Sequence, residues 1–403
     1  MKTQILPLQG IRVVELGTHV AVPNATRFMA DWGATVIKVE NFRGDEWRIV
    51  GRNNMCPITD DENPFFTLQN ANKKFIGIDL KHKDGMGVML KLIDSADVFI
   101  SNVRLPSLKK MGLDYDALSA RFPKLIYVHF TGYGYEGPDA AKPGFDSVAF
   151  WARSGAMGDW IADGDYPFLP NTGAGDATVA SILCSGILAA LLGRQATGKG
   201  TFLSSSLLGC ATWYCGSGVV STQFGNVFPK DKDRPSNPFG CPYKCKDGEW
   251  LMIGVLDYNG VYSKLCELLG LEEIREDERF STITSVRQHI AEFMPIVRNA
   301  FMQKDRDVWV EAIGAINVVC GPIGHMKDLH TDPQALANGY IKPVTFPSGR
   351  SVDMPAVPIM FSSYDAPDYI PSGEVGRDTE EVLRECGYTS EYIKAARAGG
   401  AVK

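Results

Sequence analysis

Three consecutive segments near the start constrain the fold most. Gly10 to Leu16 and Ala34 to Glu40 are apolar runs of strand length, and Asn24 to Trp32 between them reads as a helix. Strands joined through a crossover helix run parallel, so this is a βαβ unit. Further apolar runs at Phe75–Ile78, Val98–Ser101 and Leu125–Phe130 alternate with helical segments at Gly85–Ser95 and Tyr115–Ala120. The alternation predicts an α/β fold: a large, Rossmann-like domain with a mainly parallel sheet flanked by helices.

At 403 residues the chain exceeds a typical single domain. A very apolar stretch, Ala177–Gly193, predicts a helix buried on all sides, and a second apolar helix is expected near Ser205–Val220. Residues 226–242 are rich in Pro, Asn and charge and read as a linker. The predicted organisation is residues 1–225 as the first part of the large domain, 226–242 as linker, 243–335 as a smaller α+β domain, and 336–403 as a segment returning to the large one. The small domain should hold a hairpin, Tyr243–Cys245 with Trp250–Val255, around Lys246-Asp247-Gly248-Glu249. Helices are expected near Gly260–Leu269, His289–Gln303 and Arg306–Ile313, and in the tail at Thr379–Cys386 and Ser390–Ala398.

A net charge of -6 argues against nucleic-acid binding and against a membrane-surface protein, while leaving room for a local basic pocket. No apolar run reaches the roughly 20 uninterrupted residues of a membrane span, and the N-terminal residues do not read as a signal peptide, so the expectation is a cytoplasmic protein. The nine cysteines show no repeated spacing. Cys241 and Cys245 make half a zinc pattern with no second pair, so no metal site is expected.

Asn171-Thr172-Gly173-Ala174-Gly175-Asp176 sets one carboxylate on a small-residue turn just before the apolar helix. Asp176 there meets unpaired N–H groups and the positive end of a helix dipole, as either a helix cap or a nucleophile. Gly132-Tyr133-Gly134-Tyr135-Glu136-Gly137 matches a dinucleotide fingerprint by letter, yet Pro138 follows where a helix should open. It reads instead as a glycine-rich loop at a strand end, where ligands of parallel sheets bind. Lys73, Lys74, Lys81, Lys83, Arg104, Lys109 and Lys110 form either a solvated positive face or an anion pocket. The six histidines are dispersed, and each reads as structural or exposed rather than catalytic.

Taken in order, the motifs resemble the class III coenzyme A transferases, the family of formyl-CoA transferase, carnitine CoA-transferase and the related 2-methylacyl-CoA racemase. The resemblance rests on Gly10–Leu16, Ala30–Glu40 followed by Gly44-Asp45, Asn72-Lys73-Lys74 leading to Asp79-Leu80-Lys81, and Asn102-Val103-Arg104. It continues through Thr131–Gly134 with Gly137-Pro138, Gly175-Asp176, and Cys320-Gly321-Pro322 ahead of Asp332-Pro333-Gln334. It implies that Asp176 is the nucleophile, forming a mixed anhydride and then an aspartyl-CoA thioester, with no metal and no permanently bound cofactor. Gly134 and Gly175 become candidate oxyanion donors. By position it implies CoA contacts at Val20, Ala21, Asn41, Arg43, Ile78, Lys81, Asn102, Val103, Arg104, Lys110, Thr131, Gly132, Tyr133 and Gly134. Partners would be acyl-CoA and carboxylic-acid substrates, and the chain would form an interlocked homodimer.

The racemase branch needs a histidine before the aspartate that is here Asp146; this chain has Gly144-Phe145-Asp146, and phenylalanine exchanges no proton. Transfer is therefore expected over racemisation, the alternatives being a racemase-like enzyme and a non-catalytic CoA-binding subunit. The absence of the glycine-rich lid of formyl-CoA transferase argues against oxalate. Asp61-Glu62-Asn63-Pro64, Tyr243 to Gly248 and Ala337-Asn338-Gly339-Tyr340 look like the branch used in amino-acid fermentation, which moves CoA to (R)-2-hydroxy acids such as phenyllactate.

Overall fold

Six strands build the larger unit: β1 (Arg12–Leu16), β2 (Thr35–Glu40), β3 (Lys74–Gly77), β4 (Val98–Ser101), β5 (Ile126–Thr131) and β6 (Phe202–Ser206). All neighbours are parallel, in the order β3-β2-β1-β4-β5-β6. Val13, Val14, Ile37, Phe75, Ile76, Phe99 and Ile100 are fully buried, because helices cover both faces of a parallel sheet and leave no polar side for the strands. From β1 the chain steps outward to β3, then returns beside β1 as β4 and proceeds the other way. That reversal opens a crevice at the carboxyl ends of β1 and β4, where α/β sheets bind ligands.

The computed structural model describes residues 5–365 and 367–403, which fall into two units. The larger comprises residues up to 156, then 169–220 and 330–403; the smaller comprises 157–168 and 221–329. The division differs from the sequence expectation in three places: Met157–Phe168 groups with the small unit, the main segment of that unit begins at Ser221 and takes in the expected linker, and the return begins at His330. The small unit has antiparallel strands β7 (Pro242–Lys244), β8 (Trp250–Ile253) and β9 (Cys320–Pro322) over a core that includes Tyr243, Phe293, Phe301 and Trp309. The third strand was not expected, being three residues long and far along the chain. In the larger unit, Ile341–Thr345 and Ser351–Pro355 form a separate antiparallel pair, and the tail helices Thr379–Glu385 and Ser390–Ala398 place Val382, Leu383 and Ile393 in the core of the parallel sheet.

The expected single helix at Ser205–Val220 is corrected to a strand and two helices. Phe202–Ser206 pairs with β5, its serines tolerated at the sheet edge; Ser206 then caps the helix Leu207–Tyr214 by accepting from Gly209 N, and Gly216–Thr222 follows. The Asp176 helix spans Ala174–Thr197. Its length and apolar composition would suffice to cross a membrane, but Val179, Leu183, Ile187 and Leu191 are buried against the larger unit, where it packs on the first helix, α1 (Ala21–Asp31), and on β5 and β6. It is not buried on all sides, since Ala177, Ser181, Ser185 and Leu192 are exposed.

Under β1 lies a buried ion cluster. Glu15 accepts from Lys38 (2.8 Å) and Lys73 (2.9 Å), and Lys38 also meets Asp45 at 2.9 Å. Burial alone would raise Glu15, but the two ammonium groups prevail and hold it at about 2. For Lys73, burial prevails over Glu15 and lowers it to about 7. Lys74 pairs with Glu381 and Glu385. Lys73 and Lys74 are thus committed to structural pairs, not to an anion pocket.

Candidate active site

A cavity of about 640 Å³ opens at the carboxyl edge of the sheet. Thr18, His19 and Ala21 enter it after β1, Asn102 and Arg104 after β4, and Thr131, Gly132, Gly134 and Tyr135 from β5 and the loop beyond; Lys142 to Asp146, Asp176 and Leu207 complete the wall. Two reciprocal hydrogen bonds tie the β1 and β4 loops across the switch point: Thr18 N donates to Asn102 Oδ1 (3.0 Å), and Asn102 Nδ2 to Thr18 O (2.9 Å). His19 follows in the left-handed region (φ 65°), its N–H held by Asp45 Oδ1 at 3.1 Å. The buried ion cluster therefore fixes the backbone of a cavity residue.

Gly132 and Gly144 close the glycine-rich loop. A Cβ on Gly132 would lie 2.9 Å from the Gly144 Cα, so only two glycines let these backbones touch. Within the loop Tyr135 donates its hydroxyl proton to His129 Nδ1, while His129 Nε2 donates to Val103 O at 2.8 Å. Burial lowers the His129 pKa and favours this neutral tautomer, although the Val103 carbonyl works the other way.

Asp176 lies in the first turn of its helix, half-buried at the cavity wall. It does not cap that helix. Gly173 at the cap position is left-handed (φ 75°) and brings no side-chain acceptor. The cap comes instead from Asp146, the first residue of a wide π-helical turn, Asp146–Ala152. Asp146 Oδ1 accepts the N–H of Asp176 at 3.2 Å, and the nearby amides of Gly173 and Gly175 and the Trp151 indole favour the charged form of this carboxylate. Burial pushes the Asp176 carboxyl up to about 8, and the charge of Asp146 adds to the effect. Asp146 is raised by burial, against the pull of these neighbouring N–H groups.

Of the expected CoA contacts, Ala21, Asn102, Arg104, Thr131, Gly132 and Gly134 line this cavity. Val20, Asn41, Arg43, Ile78, Lys81, Val103, Lys110 and Tyr133 fall outside its lining. Ile78 is buried and bridges to Val402, Val20 is buried under Gly173, and Arg43, Lys81 and Lys110 are exposed. Of the candidate oxyanion donors, Gly134 N donates to Thr131 Oγ1 at 2.9 Å, and the Gly175 amide lies where it favours the charge of Asp146. Sequence reading passed over His19, His129 and Tyr135. Their one local signal is position, directly after β1 and around the end of β5.

A model of the family "CoA-transferase family III" matches residues 8–379. The chain belongs to CoA-transferase family III. It is 37% identical over 386 residues to an (R)-2-hydroxy-4-methylpentanoate CoA-transferase of Clostridioides difficile, covering 96% of this chain and 97% of the relative. It is 34% identical over 391 residues to the cinnamoyl-CoA:phenyllactate CoA-transferase of Clostridium sporogenes, with 96% and 94% covered. Among solved structures, a CaiB/BaiF family protein from Brucella suis superposes with a TM-score of 0.82 at 29% identity, over 95% of this chain and all of that one. This family III CoA-transferase uses CoA thioesters as substrates, and its cavity holds an aspartate on a helix N-terminus, a residue type able to form both anhydrides and thioesters.

Proposed function

We propose that this CoA-transferase moves CoA from an acyl- or 2-enoyl-CoA to a free (R)-2-hydroxy acid, through covalent intermediates on Asp176. The observation that carries the reading is the placement of Asp176, half-buried on the wall of the switch-point cavity. The ionised carboxylate attacks the donor thioester carbonyl, forming a mixed anhydride and expelling CoA thiolate. The thiolate attacks the Asp176 carbonyl of the anhydride, giving an aspartyl-CoA thioester and releasing the donor acid. The acceptor carboxylate attacks this thioester, regenerating an anhydride and the thiolate. Attack of the thiolate on the acceptor carbonyl then forms the new acyl-CoA and restores Asp176. No net proton is consumed, and partial exclusion of water protects both intermediates from hydrolysis. The 2-hydroxy acid preference rests on the names of the two clostridial relatives. Oxyanion stabilisation by Gly134 would require Thr131 to release the Gly134 N–H.

The test is Asp176→Ala with a panel of acyl-CoA donors and 2-hydroxy acids read by mass spectrometry. Loss of transfer and of a CoA adduct on the protein, with the fold retained, is expected; turnover in that variant excludes the nucleophile role. It also separates an enzyme from a CoA-binding subunit. One observation keeps racemisation in view: His19 lines the same cavity, its ring 5.4 Å from that of Phe145. Transfer alone predicts no α-deuterium in a chiral 2-methylacyl-CoA incubated in deuterated water. A cytoplasmic homodimer is part of the proposal. Leu192, Trp213, Tyr214, Val219 and Val220 expose apolar surface on consecutive helices of the larger unit, as a subunit interface requires. A monomer with full activity in analytical ultracentrifugation would count against it.

A further inference from the structure

We infer that Asp146 is a positioning residue for Asp176: its carboxylate caps the Asp176 helix from another part of the chain, fixes the turn that presents the nucleophile, and by its negative charge sets the pH range in which that nucleophile is ionised. The inference rests on the reading of Asp176 as nucleophile only for its catalytic consequence; the cap and the charge effect are measurable without it.

The geometry is specific. Helix starts leave N–H groups unpaired, and a Ser, Thr, Asp or Asn at the cap position ordinarily satisfies one of them. Here that position is a left-handed glycine, and Asp146, 30 residues earlier, receives the amide of Asp176, with the amides of Gly173 and Gly175 acting on its charge as well. The Trp151 indole, one π-helical turn after Asp146, acts on the same carboxylate in favour of its charged form. The side chain at residue 175 must be absent for this to occur, because a Cβ there would lie 2.2 Å from Asp146 Oδ1. Glycine at 175 therefore leaves the room in which Asp146 reaches the Asp176 amide.

The charge effect follows from the same proximity. A carboxylate next to a carboxylate raises the affinity of its neighbour for a proton. Other titratable groups at the cavity are His19 from the β1 loop, Arg104 after β4, His129 and Tyr135 from β5 and its loop, and Lys142, which is paired with Asp139 at 2.6 Å. Of the elements packed on the Asp176 helix, α1 brings Arg27 and Asp31, bonded to one another at 2.8 Å, and Leu207–Tyr214 brings Cys210 and Tyr214. Burial raises Asp176 most, and among these groups Asp146 is the one whose charge raises it further. The turn thus trades one benefit against another: the carboxylate that orders the helix start also delays ionisation of the nucleophile.

Two variants separate the roles. Asp146→Asn keeps an acceptor oxygen for the helix amides and removes the charge; Asp146→Ala removes both. The first readout is carboxyl ¹³C NMR of aspartate-labelled protein, with the Asp176 signal assigned through Asp176→Asn. In Asp146→Asn the Asp176 midpoint should fall by roughly one pH unit or more, and the acid limb of kcat/KM should move with it. In Asp146→Ala, hydrogen exchange at the Gly175 and Asp176 amides should quicken about tenfold, while in Asp146→Asn it stays near the wild-type rate. An unmoved Asp176 midpoint in Asp146→Asn overturns the charge role, and unchanged exchange in Asp146→Ala overturns the cap. Loss of the nucleophile reading through an active Asp176→Ala would leave both of these measurements standing.

Discussion

Gly175→Ala is the sharpest perturbation of the site, because its consequence can be worked from distances. The added methyl would lie 2.2 Å from Asp146 Oδ1 and 2.7 Å from Phe150 Cδ1. Relaxed contacts of this kind need more than 3 Å, so one neighbour or the helix start must move by roughly 1 Å. Phe150 is fully buried and Asp146 is held by the Asp176 amide, so neither side yields freely. Overpacking of this type costs about 1–3 kcal/mol, and loss of the cap about 1 kcal/mol more. The better helix propensity of alanine returns at most about 1 kcal/mol. The net expectation is destabilisation by about 1–3 kcal/mol, read as a lower urea midpoint. Displacing the nucleophile by that distance should lower kcat by on the order of a hundredfold, with a smaller change in KM. The assay is steady-state transfer between an acyl-CoA and a 2-hydroxy acid, with urea unfolding alongside. A kcat and a urea midpoint both matching the wild type would refute the reasoning.

Asp176 should also leave a mark on stability. Its folded pKa, pushed up to about 8, lies above the ordinary aspartate value of about 4, so the native state holds this proton more tightly than the unfolded chain, and stability falls as pH rises between those values. Asp176→Asn should therefore unfold at higher urea than wild type near about pH 8.5 and converge with it near about pH 4. Catalysis has the opposite slope, kcat/KM rising with pH until Asp176 ionises, which a pH–rate profile measures. Glu15→Gln leaves Lys73 without its carboxylate partner and should cost about 3–5 kcal/mol by urea unfolding, with Lys73→Met added to it recovering part of the loss. Asn102→Ala cuts both bonds to Thr18 and should lower kcat/KM about tenfold; unchanged kinetics would show that the two loops hold their places without the clamp.

What could be read from the chain follows from where the determining contacts lie. β1, β2 and β4 were legible because strands buried on both faces are written as unbroken apolar runs, and Ser390–Ala398 was found with its observed limits because its signal is local. β6 was not, since Phe-Leu-Ser-Ser-Ser is polar enough for a turn and becomes a strand only by pairing with β5. Lys73 looked like surface charge; its partner Glu15 is 58 residues away, and nothing local announces burial. The aspartate at the head of the apolar helix was visible at once as cap or nucleophile. That the cap belongs to Asp146 depends on a contact across 30 residues and on the shape of Gly175, neither of which spacing reveals.

The touching backbones of Gly132 and Gly144 carry a consequence for how such an enzyme changes its diet. Because the two ends of the loop meet, the sheet edge and the turn leading to Asp146 feel the span between them as a closed ring. Residues from Tyr133 to Pro143, several of which face the cavity, can then be exchanged as a cassette while both anchors stay put. Grafting that cassette between relatives is a direct route to re-specifying the acid that is accepted, with the covalent machinery left in place.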